Sequence, residues 1–215
     1  MNYLDELNEI QRAAVTTTEG PVMIVAGPGS GKTRVLTYRI AHLVQLGVDP
    51  FRILALTFTN KAAAEMRTRV EKICGAEARN LYVGTFHSVF ARILRYEAEK
   101  LGYPSNFTIY DTDDSRSLIK SIVKENGLND TLYKPSIVHN RISSAKNALV
   151  GPKEYQNDIN ITADDAASGR PKIGLLYELY AKRCFMAGAM DFDDLLYKMN
   201  YLLSKFPDVL FKYQN

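Results

Sequence analysis

The chain has 215 residues, 46% of them hydrophobic and 24% charged, with a formal net charge of +3. That composition suits one large globular domain, or one with a smaller companion, and excludes disordered, collagenous and disulfide-stapled classes. The two cysteines, Cys74 and Cys184, lie too far apart in the chain to suggest a disulfide framework or a zinc site. No basic-then-apolar leader opens the chain and no apolar run approaches ~20 residues, so a cytoplasmic protein without a membrane partner is expected. Residues 1–110 carry 13 Lys/Arg against 10 Asp/Glu, so the whole excess of positive charge sits there. Such a bias permits a nucleic-acid partner without demanding one.

In chain order, "LNEIQRAAV" (7–15) comes first. Asn8 and Gln11 have the N-x-x-Q spacing of a capping box at a helix start. A glutamine amide could equally pair with adenine N6 and N7, and the residues alone leave both readings open. "PVMIVAGP" (21–28) reads as a short buried strand that ends in Gly and Pro. "GKTRVLTYRIAHLVQLG" then places Val35, Leu36, Ile40, Leu43 and Val44 at helical spacing, with Gly47 as a stop.

Between that strand and helix lies "AGPGSGKTR", Ala26 to Arg34. It has the P-loop pattern, with Ala26 in the first place, where glycine is commoner. Gly27, Gly29 and Gly31, with Pro28 and Ser30 between them, let backbone N–H groups converge on a phosphate without side-chain clash. The helix that follows adds its positive end. Lys32 would neutralise β- and γ-phosphate charge and the Thr33 hydroxyl would hold Mg²⁺. ATP and Mg²⁺ are therefore the expected cofactors. Arg34 is open between a solvated helix residue and a guanidinium lying on a base.

"RILALTF" (52–58) and "LYVGT" (81–85) read as two more strands, each followed by a helix: "NKAAAEMRTRVEKICG" and "FHSVFARILRYEAEKLG". Strand–helix alternation predicts an α/β fold with a parallel sheet. Two of these strands end in Thr-Phe, Thr57-Phe58 and Thr85-Phe86, followed by Thr59-Asn60 and His87-Ser88. The carboxyl edge of a parallel sheet is where ligands bind. Aromatic residues leaving that edge, next to polar groups at helix starts, suit the stacked bases and phosphates of a single strand. From Asp111 to about Gly188 the pattern is mostly helical, with "VGPKEYQNDINITADDAASGRP" as its longest loop, followed by a helix in "DFDDLLYKMNYLLSKF". The acids of "FTIYDTDD" and "MDFDDLL" read as first-turn and capping residues.

"LNEIQRAAV", "AGPGSGKTRVLTYRI", "LALTFTNKAAAEMRTRV" and "VGTFHSVFARILR" stand in the order and spacing of superfamily 1 DNA helicases of the UvrD/PcrA/Rep type, and "MDFDDLL" is similar to a later segment of that family. The resemblance implies an ATP-driven translocase that unwinds DNA with 3′ to 5′ polarity, acting on single-stranded DNA and DNA junctions. It implies that 1–105 plus 189–215 form a RecA-like motor domain and that 106–188 form an inserted, all-helical accessory subdomain. It assigns Gln11 to the adenine, Arg34 to packing on the base, Lys32 and Thr33 to phosphate and Mg²⁺, and Phe58, Thr59, Asn60, Thr85, Phe86 and His87 to single-stranded DNA. In the family an acidic pair needed for hydrolysis follows a segment like "FPDVLFKYQN", with which these residues close. An N-terminal fragment is therefore expected, inactive in hydrolysis and unwinding without the C-terminal part of the same protein. A P-loop small-molecule or nucleoside kinase is the alternative. The two Thr-Phe loops, and a helical insertion larger than a lid needs, weigh against it.

Overall fold

A computed structural model describes residues 3–214, which divide into two compact units, one ending at Val89 and the other running from Phe90 to Gln214.

In the first unit, α1 (Glu9–Thr16) opens with a capping box, one of the two readings that its sequence left open: the Asn8 side chain accepts from the Gln11 backbone and the Gln11 side chain accepts from the Asn8 backbone. α2 (Lys32–Gln45) follows the glycine loop, β1 (Leu54–Thr57) leads into α3 (Asn60–Cys74), and β2 (Tyr82–Thr85) leads into α4 (Phe86–Tyr96). β1 and β2 pair in parallel, with Thr57 opposite Thr85. Ile40 and Val44 of α2, Met66 and Val70 of α3, and Ala55 and Val83 of the strands bury one core. Leu7, Val15 and Val35 form a smaller cluster that ties α1 to α2.

Gly84 sets how closely α4 folds back on its strand, because a Cβ there would meet Ser88 Oγ at 2.4 Å and Val89 Cγ2 at 3.0 Å. A glycine is required where backbone and helix approach this nearly.

The expected strand at 21–28 is not part of any ladder. Residues 21–27 have no assigned strand, and Met23 and Val25 are 87% and 86% exposed, against 40% and 41% for Val22 and Ile24. The alternation is that of an extended segment, but a hydrophobic pattern specifies conformation and facing, not a partner, and neither β1 nor β2 pairs with it. Among the described residues the strands form two separate two-stranded parallel pairs, not the single parallel sheet expected from the alternation, nor the RecA-like sheet that the resemblance implies.

The second unit is chiefly helical. β3 (Thr108–Tyr110) leads into α5 (Thr112–Glu125), and α6 (Pro135–Asn147), α7 (Pro152–Asn157), α8 (Ile159–Ala167) and α9 (Ile173–Met186) follow. β4 (Ala189–Asp191) runs into α10 (Phe192–Lys205), and α11 (Pro207–Gln214) closes the unit. β3 and β4 pair in parallel with Tyr110 opposite Asp191. The core is built from Ile119, Val138, Ile142, Tyr155, Tyr177 and Tyr180, among others.

The stretch read as the longest loop instead holds α7 and α8. Pro152 sits at the first helical position of α7, and Asp158 caps α8 by accepting from the backbone of Asn160 and Ile161. Pro and Asp serve helix starts as well as turns, and here they mark starts. The second unit runs from the later part of α4 through α11.

Candidate functional site

The glycine loop reaches α2 through two left-handed residues, Gly29 at φ 76° and Gly31 at φ 84°. Only glycine takes that conformation without a Cβ penalty, so the sequence motif and the backbone require each other. Gly31 stands at the N-cap of α2, where no side chain caps the first turn. The N–H groups that begin a helix have no partner within it, so they face out of the loop as donors. No acid lies in that turn, which instead carries Lys32 and Arg34. Cations beside the positive end of a helix are unfavourable unless an anion is held there.

Lys32 Nζ donates to Ala26 O at 2.7 Å and to Gly27 O at 2.8 Å, so the ammonium lies back over the loop. Ser30 Oγ donates to Gly27 O at 2.6 Å, closing the turn through Pro28 and Gly29. Thr33 is exposed in the first turn, and its carbonyl accepts from Thr37 Oγ1. Its hydroxyl is the Mg²⁺ group expected from sequence. Among the described residues there is no group of three or more His, Cys, Asp or Glu that could hold a metal by themselves. A cation there would have to arrive largely ligated by phosphate and water, as Mg²⁺ commonly is.

Gln11 does more than cap. While its Oε1 accepts from the Asn8 backbone at 3.3 Å, its Nε2 donates to Ser30 O at 3.1 Å. A Cβ on Gly31 would meet that Nε2 at 2.9 Å. The cap and the contact with the loop are thus made by one amide, a combination that neither open reading of the sequence included.

Arg34 has partners within the protein. It donates to Glu6 Oε2 at 2.9 Å, and its guanidinium carbon lies 5.5 Å from the centroid of the Tyr38 ring. The Arg34–Tyr38 spacing of four on one helix was legible as a neighbouring pair. Glu6 carried no sequence signal.

The two Thr-Phe pairs leave adjacent strands at the same level, since Thr57 and Thr85 are directly opposite. Phe58 is 95% exposed and Phe86 is 49% exposed. Phe58 thus leaves nearly its whole ring in water at this strand edge, and Phe86 about half of its surface. Thr59 Oγ1 accepts from the Ala62 backbone and so caps α3, with Asn60 exposed as its first residue. Thr85 Oγ1 accepts from the Ser88 backbone and donates to Ser88 Oγ, which holds the first turn of α4, where Phe86 and His87 stand. Thr59 and Thr85 hydroxyls are therefore engaged in shaping their turns, while Phe58 and Asn60 are the groups turned outward.

The second unit has an analogous strand-to-helix edge, built differently. Asp111 caps α5 and Asp191 caps α10, each with a reciprocal acid at the third position, Asp114 and Asp194. Asp191 also accepts from Lys146 Nζ at 2.7 Å and from the Tyr180 hydroxyl at 2.8 Å, and Lys146 lies 3.0 Å from Asp194. Asp191, Asp194, Lys146 and Tyr180 are buried, whereas Asp111 and Asp114 are exposed. Burial pushes the Asp191 carboxyl up, but the Lys146 ammonium and the bonds from Lys146 and Tyr180 outweigh it and hold it below its ordinary value. Asp191 and Asp194 of "MDFDDLL" are thus capping residues, as their position suggested, and are in addition the anions of a buried ion cluster, which nothing in local spacing could reveal; Asp193 stays in the first turn and accepts from Asn147.

Residues 7–215 match the family model described as the UvrD/REP helicase N-terminal domain. The chain is 43% identical over 220 residues to a protein named ATP-dependent DNA helicase PcrA from Bacillus subtilis, covering 100% of the chain and 29% of that protein. It is 45% identical over 210 residues to the protein of the same name from Leuconostoc citreum, covering 97% of the chain and 27% of that protein. The Staphylococcus aureus protein of that name is 42% identical over 213 residues, covering 99% of the chain and 28% of the relative. The chain therefore spans somewhat over a quarter of the length of these relatives. With nearly every residue inside the matched model, the chain belongs to the UvrD/Rep helicase family, in the region of its N-terminal domain.

Proposed function

We propose that this chain is the nucleotide- and DNA-gripping N-terminal part of an ATP-dependent DNA helicase that moves 3′ to 5′ along single-stranded DNA in the cytoplasm. The observation that carries the reading is the uncapped, glycine-led start of α2 with Lys32 and Arg34 in its first turn, in the same unit as the paired strand ends that expose Phe58 and Phe86. Open backbone donors, a positive helix end and a lysine make a seat for a triphosphate. The two aromatic rings make a platform on which successive bases can stack without regard to sequence.

In this reading Gly27 to Thr33 hold the phosphates, Lys32 neutralises their charge and Thr33 ligates the Mg²⁺ that accompanies them. Gln11 offers its amide to the adenine edge, and Arg34 offers its guanidinium to the face of the base. Bound Mg²⁺ would supply charge neutralisation between phosphates. Phe58 and Phe86 stack bases, with Asn60, His87 and the turns shaped by Thr59 and Thr85 around the backbone. The motor domain is assigned to 1–105 plus 189–215 and the accessory helices to 106–188. Hydrolysis and unwinding are assigned to the whole protein, together with any preference for junctions, and these 215 residues are expected to bind without turning ATP over.

The test is binding by the full chain of a fluorescent oligothymidylate and of a fluorescent ATP analogue. Phe58→Ala is expected to weaken oligothymidylate binding by about 1–3 kcal/mol, the worth of one stacked base, while leaving thermal stability unchanged. Unchanged DNA affinity in both Phe58→Ala and Phe86→Ala would remove the stacking platform from the proposal.

A further inference from the structure

Glu6 lies outside the glycine motif, yet its Oε2 is the meeting point of two side chains from α2. Arg34 donates to it at 2.9 Å, and the Tyr38 hydroxyl donates to the same oxygen. The Arg34 guanidinium carbon is also 5.5 Å from the Tyr38 ring centroid. Arg34 is therefore held from its end by a carboxylate and along its plane by a ring. Glu6, Arg34 and Tyr38, with Arg69 and Lys72 of α3, line a cavity of about 450 Å³.

The carboxylate is itself fixed in place. Glu6 ends a short 3-10 turn, Tyr3–Glu6, whose Leu4 carbonyl accepts from the Leu7 backbone and from Arg12 of α1. Leu7 is buried against Val15 and Val35, and Asn8 caps α1. The segment that carries Glu6 thus continues into the helix that carries Gln11, whose amide touches the loop at Ser30. The N-terminal segment reaches the loop and the first turns of α2 at two points, Gln11 on Ser30 and Glu6 on Arg34.

An exposed arginine has a long stem with many rotamers, and an exposed ion pair contributes little to stability. What such a pair can supply is a fixed plane. A guanidinium must lie flat to stack on a base, so restricting its rotamers beforehand reduces the ordering required when the base arrives. The Tyr38 hydroxyl, more than the Arg34 charge, holds the Glu6 carboxyl below its ordinary range, so it remains an anion across neutral pH.

We infer that Glu6 is a positioning residue for nucleotide-base recognition, which with Tyr38 sets the plane of the Arg34 guanidinium. The inference rests on the reading of the loop as an ATP site. Its effect belongs to the base and not to the phosphates, so the test compares ATP with inorganic tripolyphosphate, which has no base. In the full chain, Glu6→Ala is expected to weaken ATP binding about three- to tenfold and to leave tripolyphosphate binding and thermal stability unchanged. Glu6→Gln, which keeps an acceptor oxygen, should fall between the two. In an Arg34→Ala background, Glu6→Ala should add nothing further, because the group it positions is gone.

Equal weakening of ATP and tripolyphosphate by Glu6→Ala overturns the inference, since it marks a structural role. So does unchanged or tighter ATP binding, and so does a loss that persists in Arg34→Ala. Failure of the unaltered chain to bind either ligand overturns the ATP reading and this inference together, which distinguishes the two failures.

Discussion

The starts of α2 and α10 are chemical opposites. α10 follows a paired strand, is capped by Asp191, and has that cap reciprocated by Asp194 and neutralised by buried Lys146. α2 follows an unpaired loop, has Gly31 where a capping side chain would stand, and carries cations in its first turn. At α10 the capping carboxylates, the buried ammonium and the Tyr180 hydroxyl have found partners inside the protein, and that is what a structural helix start looks like. At α2 the local rules of capping and charge are all broken at once. Breaking several rules together is expected where a ligand supplies the missing partner.

The largest effect that could break this contrast is at Lys146. Lys146→Met should cost the second unit about 3–5 kcal/mol, because it removes the ammonium bonded to Asp191 and paired with Asp194 and leaves two buried carboxyls with Lys198 as the remaining nearby cation. Thermal or urea unfolding would show it. A loss within about 0.5 kcal/mol would mean the cluster is not the structural hub that its burial suggests.

At the other helix start the prediction reverses. Lys32→Ala should lower ATP affinity at least tenfold, about 1.4 kcal/mol, while unfolding stays within about 0.5 kcal/mol of the parent. Its ammonium is exposed and bonded only to two loop carbonyls, so little of the fold depends on it. If Lys32→Ala unfolded the first unit, the loop would be structural and the contrast lost.

The smallest effect concerns pH. Asp191 is held below its ordinary value of 3.8 in the folded state. A carboxyl lowered on folding contributes stability that is present above its unfolded value and is lost as pH falls through the folded one. Asp194, pushed up chiefly by burial, works in the opposite sense. Asp191→Asn keeps a competent cap but removes the anion. It should therefore flatten the part of the acid-induced loss of stability that begins below about pH 4, as read by unfolding between pH 2.5 and 5.

What was legible in the sequence follows the range of the interactions. The glycine loop, the strand-to-helix turns at Phe58 and Phe86, and the Asn8–Gln11 cap are local, and the residues that make them lie within a few positions of each other. Thr59 and the acids at 111 and 191 likewise announced helix starts by position alone. Longer-range features had no such signature. Glu6 meets Arg34 across 28 positions and Lys146 meets Asp191 across 45, so neither pair follows from spacing along one element. The helices α7 and α8 were concealed because Pro152 and Asp158 serve loops and helix starts with the same chemistry. The run at 21–28 went the other way. Its apolar character is genuine, but burial and pairing depend on a neighbour that the run cannot name.

That run has a practical meaning beyond the fold. Val22 to Val25 offer four consecutive apolar residues without a charge, exposed and with their backbone outside any ladder. Such a segment can be recruited as an edge by a second molecule. Its chief adversary in a test tube is therefore encounter frequency. Loss of monomer should accelerate with concentration faster than in proportion, and dilute samples should outlast concentrated ones at a temperature where both remain folded.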